Sequence, residues 1–138
     1  KVELYSFVEP ENAADEHERM IACAESILQK LGLHYRVSRL AAQDCSFASA
    51  KTYDIEVWMP GQKAYYEVSS ASNCTDFQAR RGSIRYRKNE GDKTKLVYTL
   101  NASSLALPRL IVAIVETYQQ ADGSIVFPES LKKSSFWL

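Results

Sequence analysis

Two strand-like runs separated by a tight turn limit the folds open to this chain more than any other feature. Residues 53–59 and 64–70 are rich in β-branched and aromatic residues. Pro60 and Gly61 stand between the two runs, and these residue types favour a turn. Because strands that are adjacent in sequence usually pair in space, the segment predicts a β-hairpin within an antiparallel sheet.

Helical periodicity flanks this hairpin on both sides. A long helix is predicted at about residues 12–31, with Gly32 as its stop, and its apolar positions recur at helical spacing: Met20, Ile21, Ala24, Ile27, Leu28 and Leu31. A second long helix is predicted to begin near Ser103 or Ser104, with Pro108 in its first turn, and to end at about Gln120.

Shorter elements complete the predicted layout. Strands are expected at residues 2–8, 35–40 and 95–100, and Asp76 is expected to cap a short helix at residues 77–84. Together these elements predict an α+β fold, an antiparallel β-sheet with flanking helices. At 138 residues the chain has the usual size of one domain, so residues 1–138 are expected to form a single unit.

Composition excludes several classes of protein. Lysine and arginine number 17, as do aspartate and glutamate, so no overall basic field draws nucleic acid to the chain. Cys23, Cys45 and Cys74 are odd in number and form no CxxC pair, which favours reduced thiols in a cytoplasmic setting over zinc or disulfides. No apolar run is long enough to span a bilayer, so no membrane partner is expected.

Two stretches carry residues suited to nucleotide chemistry. The first, EVSSASNCTDFQARR, begins with Glu67 and has Ser70 three residues later; carboxylate and hydroxyl oxygens are ligands that Mg²⁺ accepts. The second, TLNASSLALPRLIVAIVE, contains Arg109 at the start of a predicted helix, where an anion would offset the unfavourable position of a cation. Taken alone, Glu67 could equally be a solvated strand residue and Arg109 an ordinary surface arginine.

These two stretches resemble the C-terminal part of the catalytic domain of seryl-tRNA synthetase, a class II aminoacyl-tRNA synthetase. The second is similar to motif 3 of that class in its serine-specific form. KVEL at the start, YDIEVWMPG in the hairpin and DGSIVFPESL near the end extend the resemblance over essentially the whole chain.

The resemblance implies roles for particular residues. It assigns the ATP contacts to Glu67, Val68, Ser69, Ser70 and Arg109, and it implies that Glu67 and Ser70 hold Mg²⁺ through ATP. Arg109 and Glu67 would be the catalytic residues, since the counterpart of Arg109 holds the triphosphate.

The same resemblance places two residues at serine. Glu3 in KVEL and Ser103 in TLNAS match the serine-binding positions of the family. Without the family, Glu3 reads as a glutamate on an exposed strand, and Ser103 could equally cap the helix predicted after it.

The resemblance also implies an activity. The enzyme would condense serine with ATP to seryl-adenylate and pass the seryl group to the 3′ end of tRNA(Ser), as a cytoplasmic homodimer. The chain begins where the family has the second strand of motif 2. It is therefore expected to be a piece without the tRNA-binding arm, motif 1 and most of motif 2, and to have little activity alone.

Two other readings remain open from the sequence. One is a synthetase-like paralogue that binds or regulates without catalysis, and the other is a relative that charges a carrier protein instead of tRNA. A basic cluster that includes Arg85, Arg87 and Lys88 around Tyr86 could contact the tRNA acceptor end or be a solvated edge. Arg80 and Arg81 are expected to be held structurally by Asp54, Glu56 or Asp76.

Overall fold

In the computed structural model, which describes residues 1–132, segments of alternating β-forming residues form a five-stranded sheet. Two amphipathic helices pack on one side of this sheet. The strands are β1 Val2–Val8, β2 Tyr35–Arg39, β3 Lys51–Met59, β4 Ala64–Asn73, β5 Arg85–Tyr86, β6 Lys95–Leu96 and β7 Tyr98–Leu105. The helices are α1 Ala13–Lys30, α2 Phe77–Gly82, α3 Leu107–Tyr118 and α4 Glu129–Lys132, with one 3₁₀ turn at Pro10–Asn12.

The main sheet has the strand order β1-β7-β4-β3-β2, and every pair in it is antiparallel. The predicted hairpin is confirmed as β3 and β4, which pair over their whole length from Lys51 with Asn73 to Met59 with Ala64. Strands β5 and β6 form a separate two-stranded ribbon. The α+β prediction, an antiparallel sheet with flanking helices, is confirmed.

Both long helices pack on the same face of the main sheet. Met20, Ala24 and Leu28 of α1 are almost fully buried in one core with sheet residues such as Val57 and Leu100. At the far end, Tyr118 of α3 donates a hydrogen bond to the carbonyl of Leu31, which ties the two helix ends together. The opposite face of the sheet is left uncovered by these helices, since Tyr5 and Phe7 of β1 are about half exposed there.

The α1 prediction is confirmed, and the glycine that ends it is required by its backbone. Gly32 has φ +64°, in the left-handed region that a residue with a Cβ adopts at a cost. A Cβ built on Gly32 would stand 2.8 Å from the hydroxyl oxygen of Tyr118. The glycine therefore serves both the turn and the close packing of α3 against the end of α1.

The predicted start of the second long helix is wrong. Residues 98–105 form strand β7, and α3 begins only at Leu107, with Pro108 in its first turn and Ala106 before it. β7 pairs with β1 on one side and with β4 on the other, so two sets of backbone hydrogen bonds override the helical spacing. Ser103 lies inside this strand, so the alternative that it caps the helix is excluded.

The predicted short helix exists, but Asp76 makes no side-chain hydrogen bond to its N-terminus. The Asp76 carboxylate instead pairs with Arg80 one turn later. Asp76 is therefore the expected partner that holds Arg80, one of the two adjacent arginines. Glu56, another expected partner, pairs instead with Arg36 on β2. Arg81 lies over the ring of Phe77 and donates to its carbonyl.

Residues 133–138, which the single-domain prediction includes, lie outside the described residues. Within residues 1–132, no helix combines the length and the apolar character that crossing a membrane requires.

Candidate functional site

A row of four polar side chains crosses the uncovered face of the sheet. Glu3 of β1 pairs with Ser103 of β7, and Asp54 of β3 pairs with Ser70 of β4. Ser70 and Ser103 each lie one residue beyond the Ala71–Ala102 pair that joins β4 to β7, which places them side by side. Because neighbouring strands are about 4.8 Å apart, the row spans about 14 Å.

A β-bulge in β4 brings Glu67 to the same face as Ser70. Residues three apart on a regular strand point to opposite faces. Here Ile55 pairs with Ser69 and Glu56 pairs with Glu67, so Val68 is the extra residue of the bulge. Asp54 and Glu56 alternate normally on β3 and share a face, and their partners Ser70 and Glu67 share it with them.

The two residues between Glu67 and Ser70 point elsewhere. The Val68 side chain is fully buried in the core, and its carbonyl accepts a hydrogen bond from the amide of Ala106 at the start of α3. Ser69 is 1% exposed, and its hydroxyl donates to the carbonyl of Ser103. The backbone carbonyl of Val68 thus connects β4 to the start of α3, and the side chain of Ser69 connects β4 to β7. Neither side chain reaches the uncovered face.

Arg109 reaches back from α3 to the bulge. Its Nη1 donates to the Glu67 carbonyl at 2.7 Å and lies 3.9 Å from Glu67 Oε2. The guanidinium side chain stays 51% exposed, and the Glu67 side chain stays 39% exposed. Among residues 1–132, only Nη1 of Arg109 is engaged in hydrogen bonding, so the rest of its donor fork is open to a ligand.

The predicted serine-binding residues are in contact. The Ser103 hydroxyl donates to Glu3 Oε1 at 3.3 Å, and it accepts from Lys1 Nζ, also at 3.3 Å. Glu3 is exposed and Ser103 is half-buried. This arrangement presents a carboxylate and a hydroxyl side by side, which suits a small ligand that carries an ammonium and a hydroxyl group.

Asp54 adds a carboxyl group that sequence reasoning did not place at the site. Burial raises the pKa of Asp54, the Ser70 hydroxyl opposes this by hydrogen bonding, and nearby Glu56 raises the pKa further. Asp54 Oδ1 is buried without a hydrogen-bond partner among the described residues. A buried oxygen of this kind beside Ser70 is suited to a cation or a donor on a ligand.

Further polar residues near the row were also missed. Asn101 of β7 lies two residues from Ser103, on the same face, and it donates weakly to the Cys74 sulfur at 3.5 Å. Gln78 Oε1 accepts from both Tyr5 and Thr99 at 2.7 Å, which fixes the orientation of its amide. Strand alternation around Ser103 would have pointed to Asn101, had residues 98–105 been assigned to a strand.

The donor set of this face suits phosphate and cation chemistry. Glu67, Ser70 and Asp54 offer oxygen ligands, and Arg109 offers a cation with a free donor fork beside them. Among residues 1–132, no group of three or more His, Cys, Asp or Glu residues forms a complete metal cage. An open set of this kind fits Mg²⁺, which usually keeps waters and substrate phosphates among its ligands.

Comparison with known proteins defines the class of the chain. The profile of the family described as "tRNA synthetase class II core domain (G, H, P, S and T)" matches residues 1–118. The chain therefore belongs to the class II tRNA synthetase core family, and the resemblance drawn from its motifs is confirmed.

Particular relatives within that class carry one name. The chain is 58% identical over 132 residues to a serine–tRNA ligase of Azorhizobium caulinodans, a match that covers 96% of this chain and 30% of the relative. The match to a serine–tRNA ligase of Desulfotalea psychrophila is also 58% identical, over 96% of this chain and 31% of the relative. The chain spans about a third of the length of the curated relatives it matches.

Solved structures agree with these relatives. The seryl-tRNA synthetase of Pyrococcus horikoshii, complexed with ATP, superposes with a TM-score of 0.93 at 46% identity, over 96% of this chain and 30% of the other. The cytoplasmic serine–tRNA ligase of Naegleria fowleri, in complex with AMP, gives a TM-score of 0.87 at 34% identity, over 96% of this chain and 32% of the other.

Proposed function

We propose that this chain carries part of the active site of a serine–tRNA ligase, which activates serine with ATP to seryl-adenylate and transfers the seryl group to tRNA(Ser). One observation carries the proposal: the bulge at Val68 sets Glu67 and Ser70 on one face, with Arg109 held against Glu67 at 2.7 Å. The names of the relatives and their bound nucleotides support it.

The triphosphate end of ATP is assigned to Arg109. Its guanidinium is half exposed, and its planar fork of donors matches phosphate oxygens. Because Glu67 anchors only one nitrogen of this fork, the arginine is oriented before ATP arrives and loses little freedom on binding. Glu67 therefore acts both through its carbonyl, on Arg109, and through its carboxylate, towards a metal ion.

Mg²⁺ is assigned to Glu67 and Ser70, and the buried unpartnered oxygen of Asp54 beside Ser70 supports a cation there. When bound, the ion would neutralise phosphate charge during attack of the serine carboxylate on the α-phosphate. Val68 and Ser69 can contact ATP only through their backbone, since both side chains are buried away from this face.

Serine is assigned to Glu3 and Ser103. A glutamate suits the ammonium and hydroxyl groups of serine, and the hydroxyl of Ser103 lies 3.3 Å from the Glu3 carboxylate. A site that hydrogen-bonds the substrate hydroxyl rejects alanine by about 10⁴-fold or more, because its polar groups would otherwise be left unpaired. Selectivity for serine over alanine follows from this pair.

The remaining assignments concern the whole enzyme. We propose that the chain is the C-terminal portion of the catalytic domain, and that the tRNA-binding arm, motif 1 and most of motif 2 lie upstream of it. A homodimer in the cytoplasm is proposed from the resemblance. The exposed free thiol of Cys23 supports a reducing compartment.

The test is amino-acid-dependent exchange of pyrophosphate into ATP by the full-length gene product, followed by charging of tRNA(Ser). The proposal expects exchange with serine, none with alanine, and formation of seryl-tRNA. Absence of exchange would favour a non-catalytic paralogue, and exchange without tRNA charging would favour a carrier-protein aminoacylating enzyme. Either result would reject the proposal.

A further inference from the structure

Positive charge is concentrated in one segment of a chain whose net charge is zero. Between residues 80 and 97 there are seven cationic residues and two acidic ones, Glu90 and Asp92, whereas the whole chain has 17 of each sign. The seven are Arg80, Arg81, Arg85, Arg87, Lys88, Lys93 and Lys95. A local excess of this size produces a field at one place on the surface even when the net charge is zero.

The fold gathers most of this segment into one ribbon. Arg85 pairs with Leu96 and Tyr86 with Lys95 in the β5–β6 ribbon. The turn of the ribbon closes a cavity of about 260 Å³ that is lined by Tyr86, Lys88, Asp92, Lys93 and Lys95. Lys88, Lys93 and Lys95 therefore lie around one concave surface. Arg85 and Arg87 are not part of this lining, but they flank Tyr86, which is.

Five of these seven cations are exposed and make no ion pair among the described residues. Arg80 is neutralised by Asp76, and Lys88 lies 3.3 Å from Glu9. Of the five that remain, Arg81 lies over the ring of Phe77 on α2. The other four form what is called here the ribbon patch: Arg85, Arg87, Lys93 and Lys95. Charges left unpaired at the surface are available to the phosphates of a nucleic acid.

The position of the ribbon relative to the proposed serine site suits a long polyanion. The contact between Lys88 and Glu9 fixes the ribbon near the end of β1, whereas Glu3 lies near the start of that strand. Six residues of extended chain separate Glu3 from Glu9, which corresponds to about 20 Å. A ligand that contacts both the ribbon and Glu3 must be larger than ATP or serine. One end of this ligand must lie at the adenylation site.

We propose that the ribbon patch binds backbone phosphates of the acceptor stem of tRNA while its 3′ end lies at the face that carries Glu3 and Ser103. The inference rests on the proposed function. Contacts of this kind position the RNA without reading its sequence, because double-stranded RNA is recognised mainly through shape and phosphates. Tyr86, half-buried between the cations, supplies a flat surface at the rim of the cavity.

The test uses the full-length gene product and a short hairpin RNA that ends in an unpaired CCA. This RNA lacks every other part of tRNA, so its binding depends on contacts near the active site. One variant carries Arg85→Gln, Arg87→Gln, Lys93→Gln and Lys95→Gln. A matched control removes two arginines and two lysines elsewhere on the surface: Arg19→Gln, Lys30→Gln, Arg39→Gln and Lys132→Gln.

Fluorescence anisotropy gives the RNA affinity of each protein over a series of salt concentrations. The proposal expects the ribbon variant to bind more weakly than the control, with a log–log salt slope smaller by about 1 for each phosphate contact removed. Serine-dependent pyrophosphate exchange is expected to be unchanged in both variants.

Three results would overturn the inference. Equal affinity and slope in the ribbon variant and the unchanged protein would mean that the patch does not contact RNA. Equal weakening in the control would mean that only total charge matters. Loss of pyrophosphate exchange in the ribbon variant would place its effect in the adenylation site. Absence of exchange in the unchanged protein would instead reject the proposed function, while the anisotropy comparison would still be informative.

Discussion

Replacement of Arg109 by alanine separates its proposed role in catalysis from any role in stability. Within the described part of the chain, the Arg109 side chain makes one hydrogen bond, to the Glu67 carbonyl at 2.7 Å, and a weak ion pair with the same residue at 3.9 Å. A hydrogen bond contributes about 1 kcal/mol and a half-exposed ion pair less than about 1 kcal/mol. The free energy of unfolding should therefore fall by no more than about 2 kcal/mol.

The expected loss in catalysis is larger. Removing one preorganised donor that stabilises charge in a transition state typically costs about 10²–10³ in rate, which corresponds to about 3–4 kcal/mol. Arg109→Lys should recover only part of this loss, because an ammonium lacks the planar fork that fits two phosphate oxygens. For Arg109→Ala, the loss in catalytic free energy should thus be larger than the loss in unfolding free energy.

The assay is serine-dependent pyrophosphate exchange by the full-length gene product, with thermal unfolding measured on the same samples. Arg19→Ala is the matched control: this arginine is also paired with a glutamate, Glu16 at 2.7 Å, and is 61% exposed, but it lies on α1. The control should keep its exchange activity. Normal exchange in Arg109→Ala would refute the triphosphate role. A loss of exchange that merely follows unfolding would also refute it.

Other substitutions test the serine pair, the electrostatics and the packing. Ser103→Ala should raise the KM for serine more than the KM for ATP, because the hydroxyl faces Glu3 and not Arg109; equal increases would contradict this assignment. The hydrogen bond from Arg19, followed by that from Ser6, lowers the pKa of Glu16 from 4.5 to about 2. A lowered pKa in the folded state stabilises the fold above pH 4.5, so the difference in unfolding free energy between the unchanged chain and Glu16→Gln should shrink as the pH falls towards 2. A difference that does not vary with pH would reject this reading. Gly32→Ala should destabilise the fold by about 1–2 kcal/mol from the left-handed backbone alone, and more if Tyr118 must move; chemical denaturation measures the loss, and no loss would show that the turn can relax.

Strands β1 to β4 and α1 could be predicted because local pattern and tertiary packing agree there. The single strand predicted at residues 95–100 is wrong, because these residues divide between β6 of the ribbon and β7 of the main sheet. The apolar spacing of α1 is the spacing of the face that packs on the sheet, and the hairpin is marked by Pro60 and Gly61. The start of α3 was misplaced because residues 103–105 carry no local sign of β1, the strand that pairs with them. Pairing with β1 and β4 is a non-local effect, and only the fold reveals it.

The site residues were named from motifs, but their arrangement was not predictable from spacing. Glu67 and Ser70 stand three apart, which on a regular strand would separate them to opposite faces. The bulge at Val68 that reunites them depends on pairing with Ile55 and Glu56 of the next strand. Asp54 was missed for the same reason, since its place beside Ser70 is set by strand register.

Calorimetric titration of the full-length gene product with non-hydrolysable seryl-, alanyl- and threonyl-adenylate analogues tests whether the uncovered face of the sheet binds serine and ATP. We expect tight binding of the seryl compound and strong discrimination against the alanyl compound, with discrimination reduced by Ser103→Ala and overall affinity reduced by Arg109→Ala. Equal binding of the seryl and alanyl compounds, or binding that neither substitution changes, would contradict the claim that the uncovered face of the sheet is a serine and ATP site.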